Sequence, residues 1–170
     1  MQKTIIFDLG NVLIEWDRRA LFKKLFNEGT ELDYFLDHVC SLEWNSQIDL
    51  GGSFEKAVQE RILDYPEYTL QIQAYLMRWD EMITGTIPGM VKILNELREA
   101  EYPLAVLSNW SAETFPRVSD RFEFLGWFNP LILSGEIGLI KPDPEIYHHL
   151  LRVIDRCAAD CIFIDDSLPN

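Results

Sequence analysis

Four short segments of the chain are apolar at nearly every position, and they alternate with segments whose apolar residues recur at helical spacing. The four apolar segments are rich in β-branched and aromatic side chains and comprise residues 4–9, Leu104–Leu107, Leu131–Leu133 and Cys161–Ile164. A strand that is apolar throughout, and not only at alternate positions, fits a parallel sheet covered on both faces. The pattern therefore predicts an α/β fold built on a parallel sheet.

A long segment between the first two of these strands has no strand character. Its apolar residues recur at helical spacing in four stretches, over residues 21–26, 32–39, 54–62 and 70–79. We therefore predict an all-helical subdomain inserted into the α/β core. The predicted core comprises residues 1–16 and 86–170, and the predicted insert comprises residues 17–85.

The α/β pattern returns after the insert. Pro88 is predicted to open a helix that runs to about Ala100, because proline suits the first turn of a helix. After the second strand, Ser111 and the pair Glu113-Thr114 are suitable residues to start another helix. Helices are thus expected to separate the four strands.

Composition and charge narrow the function. The 170 residues are 48% hydrophobic, which suffices for a buried core. Asp and Glu outnumber Lys and Arg by 28 to 15, for a net charge of −13. Such a surface argues against nucleic acid and anionic membranes as partners. An acidic protein that binds an anionic substrate needs local positive charge, which a divalent cation and one or two lysines would supply.

The sequence leads us to expect a protein that is not exported. Its three cysteines lack metal-ligand spacing and a matching second pair, which favours a reducing compartment over disulfides. The amino terminus leads directly into a strand and does not resemble a signal peptide. No apolar run approaches the roughly 20 residues needed to span a bilayer. We expect a soluble, cytoplasmic protein.

Acidic residues follow the first and the last apolar strand. Asp8 comes directly after Thr4–Phe7, and Asp165 and Asp166 come directly after Ile164. In an open parallel sheet, ligands bind outside the carboxyl ends of the strands, so these acids are expected to meet there. Adjacent acids repel one another unless a cation lies between them, and Mg²⁺ prefers oxygen ligands. The pattern favours a metal and phosphate site.

Four short motifs follow one another along the chain: Phe7-Asp8-Leu9-Gly10-Asn11-Val12-Leu13, Leu107-Ser108-Asn109, Lys141-Pro142-Asp143-Pro144 and Phe163-Ile164-Asp165-Asp166. Taken in this order, they resemble the haloacid dehalogenase-like superfamily of hydrolases. Any one alone is weak, since Asp8 fits an ordinary turn, Ser108 a helix cap and Lys141 a solvated surface. Together they resemble phosphatases of that family with a helical cap inserted after the first strand. The resemblance implies a Rossmann-like core and covers the whole chain.

The resemblance also implies a role for each motif residue. Asp8 would attack phosphorus and form an aspartyl phosphate, and Ser108 and Lys141 would hold the phosphoryl oxygens. The substrate, a small phosphorylated molecule, would contact Gly10, Asn11, Ser108, Asn109 and Lys141. Mg²⁺ would be held by Asp8, the Gly10 carbonyl and one or both of Asp165 and Asp166, with Asp166 favoured as the direct ligand.

Gly10 departs from the family pattern. Most phosphatases of this family carry there a second Asp, which protonates the leaving oxygen and later activates water. The loss of this Asp implies slow turnover, a good leaving group or another proton donor. Glu43 and Asp49 are candidates for that donor, although both are equally compatible with being ordinary polar residues of a loop. The same motif resembles the family's glucose 1-phosphate phosphatases, which also lack that Asp. Trp44 and Trp110 are candidates for a sugar pocket or for the core.

Two other interpretations remain open. The first is a 2-haloacid dehalogenase, which uses an Asp nucleophile without metal or a second Asp and is therefore compatible with Gly10. Asp165 and Asp166 count against it, because they would repel a carboxylate substrate. Such an enzyme would also need an arginine facing the nucleophile, for which Arg18 and Arg19 are the candidates. Alternatively, the chain is a non-catalytic member that binds a phosphorylated metabolite or a protein partner. Since such a sheet usually continues beyond this point, the end at Asn170 suggests a truncated chain or a disordered tail. No motif identifies the substrate or the oligomeric state.

Overall fold

The structure is a computed structural model that describes residues 2–27 and 29–170. The strands and α-helices in chain order are β1 (Thr4–Phe7), β2 (Ile14–Trp16), α1 (Arg18–Phe22), α2 (Thr30–Tyr34), α3 (Leu42–Asp49), α4 (Phe54–Asp64), α5 (Thr69–Met77), β3 (Ile83–Thr86), α6 (Met90–Glu99), β4 (Leu104–Ser108), β5 (Leu131–Leu133), α7 (Ser134–Ile137), α8 (Pro144–Ile154) and β6 (Cys161–Ile164).

Four strands form the predicted parallel sheet, in the order β5-β4-β1-β6. The central strands β1 and β4 are buried at every position, as their continuous apolar sequences predict. The edge strand β6 is less well covered, and Ile162 is 45% exposed. The prediction of a sheet covered on both faces therefore holds for the central strands and fails at this edge.

The segment between β2 and β3 folds into helices, as predicted. Helices α1 to α5 are joined by a π-helical turn over Phe35–Val39 and 3₁₀ turns. Aromatic side chains form the interior of this insert, where the rings of Phe22 and Phe35 lie 4.8 Å apart and those of Trp44 and Tyr75 lie 5.1 Å apart. Such contacts between rings add to the stability that burial supplies.

A two-stranded antiparallel sheet connects the insert to the core. Ile14 of β2 pairs with Thr86 of β3, and Glu15 pairs with Gly85. Strand β3 was not among the predicted elements, because Thr84, Gly85 and Thr86 interrupt its apolar character. The division of the chain into domains at residues 16/17 and 85/86 stays a prediction.

Several predicted boundaries are wrong. The first strand ends at Phe7, not at residue 9. Helix α6 begins at Met90, and Pro88 lies in the turn before it, since Gly89 adopts a left-handed conformation that interrupts the helix. After β4, short 3₁₀ turns over residues 115–127 replace the predicted helix. Helix α3 was not predicted; the Ser41 side chain caps it by accepting from Trp44 N.

The helices within the described part of the chain are all too short or too polar to cross a bilayer.

Candidate active site

Three carboxylates meet at the carboxyl edge of the sheet. Strand β1 pairs with β6 so that Phe7 lies opposite Ile164, which places Asp8 beside Asp165 and Asp166. The Asp8 amide donates to the Ile164 carbonyl at 2.9 Å and extends this pairing by one residue. One oxygen from each of the three acids lies within 4.8 Å of the others. The three acids therefore lie close together, as predicted.

Lys141 lies between two of these acids. Its Nζ is 3.1 Å from Asp8 Oδ2 and 2.6 Å from Asp165 Oδ2, and its side chain is fully buried. A buried ammonium group is stable only when paired, and here two carboxylates pair with it. The Nζ also lies 5.2 Å from the centre of the Phe163 ring. Lys141 is thus a fixed positive charge within the site, not a solvated surface lysine.

The environment of Asp8 affects its proton affinity in both directions. Burial has the largest effect and raises the pKa of Asp8 above its ordinary value, and the charge of Asp165 raises it further. Lys141 and Ser108 act in the opposite direction and lower this pKa. The Leu9 amide also donates to Asp8 Oδ1 at 2.7 Å. The carboxylate is therefore held in one orientation by groups that favour its charged form.

The loop that carries Lys141 is attached to the end of β4. Asn109 Nδ2 donates to the Lys141 carbonyl at 3.0 Å, and the Lys141 amide donates to Asn109 Oδ1 at 2.9 Å. This reciprocal pair holds Lys141 beside Ser108, which is 1% exposed. The amide group of Asn109 thus positions the lysine loop, and substrate binding by Asn109 stays a prediction.

Asp165 and Asp166 have different surroundings. Asp165 accepts from the Ser167 amide at 2.8 Å and from Asn170 Nδ2 at 3.1 Å, besides its contact with Lys141. The Tyr147 hydroxyl donates to the Asn170 carbonyl at 2.7 Å and steadies this turn. Asp166 is exposed, and no described residue is recorded as its hydrogen-bond or ion-pair partner. Sequence reasoning missed Tyr147, Ser167 and Asn170, because supporting residues carry no motif.

This set of acids fits a divalent cation. Mg²⁺ takes oxygen ligands and commonly uses one or two carboxylates. Asp8, Asp165 and Asp166 offer such oxygens within 4.8 Å of one another, and the Asp166 carboxylate is the one with no recorded competing contact among the described residues. The geometry therefore suits Asp166 as a direct ligand.

The turn after Asp8 is open. A Cβ added to Gly10 would meet no atom within 4 Å. Asn11 has a left-handed conformation with φ of 53°, which asparagine tolerates, and its Oδ1 accepts from the Trp16 amide at 3.0 Å. Asn11, predicted to contact substrate, thus has a role in shaping this turn.

A partly enclosed cavity of about 50 Å³ borders the site through Gly10 and Asn109. Its walls are largely aromatic and come from both the insert and the core: Trp16, Trp79, Ile83 and Trp110. Trp16 Nε1 is buried without a hydrogen-bond partner among the described residues. Trp110 and Trp44 were both candidates for a pocket or for the core. Trp110 lines the cavity, whereas Trp44 packs inside the insert against Phe54 and Tyr75.

Asp49, at the end of α3, also lines this cavity. Its Oδ1 accepts from the Ser111 amide at 3.1 Å, and its Oδ2 accepts from Asn45 Nδ2 at 2.6 Å. Burial, together with the charge of Asp8, raises the pKa of Asp49 to about 8, although these hydrogen bonds oppose the rise. Asp49 is therefore a carboxyl group that holds its proton near neutral pH.

Other candidate residues lie elsewhere. Glu43 is exposed and lines a separate cleft. Arg18 donates from Nη1 to the Leu36 and Cys40 carbonyls, at 2.9 and 2.7 Å. Arg19 pairs with Asp33 on the surface at 2.5 Å. Both arginines therefore make contacts within the insert.

Comparison with known proteins gives a consistent result. The profile of the haloacid dehalogenase-like hydrolases matches residues 2–170. The sesquiterpene phosphatase astK of Aspergillus oryzae is 28% identical over 179 residues, covering 99% of this chain and 82% of that protein. The glyceraldehyde 3-phosphate phosphatase of Pyrococcus abyssi is 23% identical over 177 residues, covering 99% of this chain and 74% of that protein.

Solved structures share the fold. The HAD family enzyme bt-2542 of Bacteroides thetaiotaomicron, in complex with magnesium and inorganic phosphate, superposes with a TM-score of 0.71 at 25% identity. The match covers 99% of this chain and 87% of that one. The chain therefore shares its fold, a parallel sheet with an inserted helical segment, with bt-2542.

Proposed function

The chain belongs to the haloacid dehalogenase-like hydrolases, and from this membership we propose that it is a Mg²⁺-dependent phosphomonoesterase with Asp8 as its nucleophile. The observation that carries the proposal is the position of Lys141 Nζ, 3.1 Å from Asp8 and 2.6 Å from Asp165, beside the exposed Asp166. A fixed cation among three acids suits a phosphoryl group better than a neutral or cationic substrate.

The first step forms an aspartyl phosphate. An Asp8 oxygen attacks phosphorus, a bond forms between them, and the bond from phosphorus to the leaving oxygen breaks. The Lys141 ammonium and the Ser108 hydroxyl hold non-bridging phosphoryl oxygens as their charge rearranges. Water then attacks the phosphoenzyme, releases inorganic phosphate and restores Asp8.

The residues that would hold Mg²⁺ are Asp8, Asp166 and the Gly10 carbonyl, with Asp165 as a further ligand or as support. When bound, the metal neutralises charge between the anionic nucleophile and the anionic phosphate. Asp165 already accepts from Lys141, Ser167 and Asn170. We therefore assign it mainly to holding Lys141 in place.

The proposed substrate is a small phosphorylated metabolite, and the cavity supports a short sugar phosphate. At about 50 Å³ it is smaller than the cavity of about 150 Å³ that accommodates benzene. A leaving group of two or three carbons therefore fits it better than a hexose. The Pyrococcus abyssi relative is named for a triose phosphate, in agreement with this size.

The test is phosphate release from glyceraldehyde 3-phosphate, glucose 1-phosphate and nitrophenyl phosphate, with Mg²⁺ and with chelator. We expect release that needs Mg²⁺ and is abolished in Asp8→Asn, together with an acid-labile phosphoenzyme in the parent protein. Asp64→Asn, an exposed acid on α4, is the matched control and should retain activity. Release that persists in chelator or in Asp8→Asn contradicts the proposal, and metal-independent halide release from a 2-haloacid would instead establish a dehalogenase.

A further inference from the structure

Gly10 leaves the proposed reaction without the proton donor that this position usually supplies in the family, and Asp49 lines the same cavity as Gly10 and Asn109. We propose that Asp49 is the general acid and base of the reaction, protonating the leaving oxygen and then activating water. This inference rests on the proposed phosphatase function. A helical insert would thus contribute a catalytic carboxyl group to a site whose nucleophile belongs to the sheet.

Hydrogen bonds to the core fix the position of Asp49. The Ser111 amide donates to Oδ1 at 3.1 Å, and the Ser134 hydroxyl donates to the Asp49 carbonyl at 2.5 Å. Ser111 follows β4 and Ser134 begins α7, so both donors belong to elements that follow the sheet strands at the site edge. A general acid must be held within hydrogen-bond reach of its target, and these contacts limit the movement of Asp49 relative to the sheet.

Both protonation states of Asp49 fit these surroundings. Asn45 Nδ2 donates to Oδ2 at 2.6 Å, and with the Ser111 amide it stabilises the carboxylate that remains after proton transfer. Each carboxyl oxygen has a second lone-pair position, so a proton on the cavity side is compatible with both hydrogen bonds. Burial and the charge of Asp8 favour the protonated form before the reaction, as the raised pKa of Asp49 indicates.

The proposed proton transfers balance over the two steps. As Asp8 forms its bond to phosphorus, Asp49 gives its proton to the departing oxygen, which leaves as a neutral alcohol. The Asp49 carboxylate then takes a proton from the attacking water as the bond between Asp8 and phosphorus breaks. One turnover therefore consumes one water and leaves both acids as they began.

A comparison of two small substrates with different leaving groups tests this role. Ethyl phosphate releases an alkoxide-like oxygen that needs protonation, whereas acetyl phosphate, of nearly the same size, releases a stable carboxylate. We expect Asp49→Asn to lower kcat/KM for ethyl phosphate by about 10² to 10⁴-fold and for acetyl phosphate by less than about tenfold. Glu43→Gln, a change on the same helix in a different cleft, is the control and should affect neither substrate.

Each alternative outcome is distinct. An equal loss with both substrates would show that Asp49 only secures the insert to the core, and no loss with either would remove it from the reaction; both overturn the proposal. Hydrolysis of acetyl phosphate but not of ethyl phosphate by the parent protein would also overturn it, while leaving the phosphatase function intact. Hydrolysis of neither substrate, with Mg²⁺ present, would contradict both proposals.

Discussion

Buried carboxyl groups lie both at the carboxyl edge of the sheet and in the cavity that borders it. The two places stabilise these carboxyl groups differently. At the edge, Lys141 provides a buried positive charge to Asp8 and Asp165. In the cavity, Asp49 accepts hydrogen bonds from neutral donors, and no ion pair to it is recorded among the described residues. Lys141 therefore opposes the protonation that burial favours at Asp8, whereas neutral donors oppose it at Asp49.

This difference suits two parts of one reaction. A nucleophile must be ionised to attack phosphorus, whereas a general acid must keep its proton until the leaving oxygen departs. Burial raises the pKa of both Asp8 and Asp49, but only Asp8 has a lysine to oppose the rise. The placement of one buried lysine thus fits the two different roles proposed for Asp8 and Asp49.

Removal of Lys141 should have the largest effect on stability. Lys141→Met would leave Asp8 and Asp165 buried, close together and without their cation, and loss of one partner of a buried pair costs about 3–5 kcal/mol. Urea unfolding at pH 8 in chelator measures this loss, and added Mg²⁺ should recover part of it. Lys92→Met, which breaks an exposed pair with Glu96, is the control and should cost less than about 1 kcal/mol. An equal cost for the two variants would contradict the assignment of Lys141.

The pH dependence of stability should distinguish Asp49 from exposed acids. Because the pKa of Asp49 is raised from 3.8 to about 8, the folded state holds a proton that the unfolded state releases between these values. Stability should therefore fall as pH rises through this window and level off above pH 8. The full shift corresponds to about 6 kcal/mol, and because Asp49 is partly exposed to the cavity we expect about 3 kcal/mol.

Asp49→Asn should remove this dependence, so that the variant gains stability relative to the parent protein between pH 5 and pH 9. Urea unfolding in chelator at pH 5, 7 and 9 measures the difference. Burial has the largest effect and raises the pKa of Asp49, the Ser111 amide and Asn45 oppose the rise, and the charge of Asp8 adds to it. Asp64→Asn, which removes an exposed acid on α4, is the control in the same measurement. A difference that stays constant with pH would mean that Asp49 is ionised throughout.

Much of the sheet edge is predictable from sequence because its charged residues and Ser108 each lie in a short motif beside a strand or helix. Asp8 follows β1, Ser108 ends β4, and Asp165 follows β6. Parallel strands bring such residues together whatever lies between them. The edge is thus determined by local sequence and by a common topology.

The cavity is less predictable because its residues come together through distant contacts. Asp49 is held by Ser111, 62 residues away, and by Ser134, 85 residues away. Neither pairing has a local signal, and Asp49 lies at the end of α3, whose polar sequence did not predict a helix. Strand β3 and the early turn at Gly89 were missed for a similar reason, since tertiary pairing and backbone conformation override local propensity there.

Close packing of the first turn of α7 against the loop after β4 should make Gly135 sensitive to substitution. A Cβ at Gly135 would lie 2.6 Å from the Ala112 amide nitrogen and 2.9 Å from the Trp110 carbonyl oxygen. We expect Gly135→Ala to cost about 2 kcal/mol, since overpacking forces backbone shifts. Gly10→Ala is the matched control, because its added Cβ would meet no atom within 4 Å. If urea unfolding gives the two variants equal stability, the junction at Gly135 is looser than the structure indicates.

The hydrogen bond behind Asp49 should have the smallest effect on stability. The buried Tyr75 hydroxyl donates to Asn45 Oδ1 at 2.8 Å, and Asn45 in turn donates to Asp49. Tyr75→Phe keeps the ring contacts and removes this donor, at an expected cost of about 1 kcal/mol. Tyr65→Phe, on a less buried ring, serves as the control in urea unfolding and should cost less. Because Asn45 would lose its support, the variant should also slow ethyl phosphate hydrolysis more than acetyl phosphate hydrolysis. Equal slowing of both substrates would mean that Tyr75 and Asn45 do not assist proton transfer by Asp49.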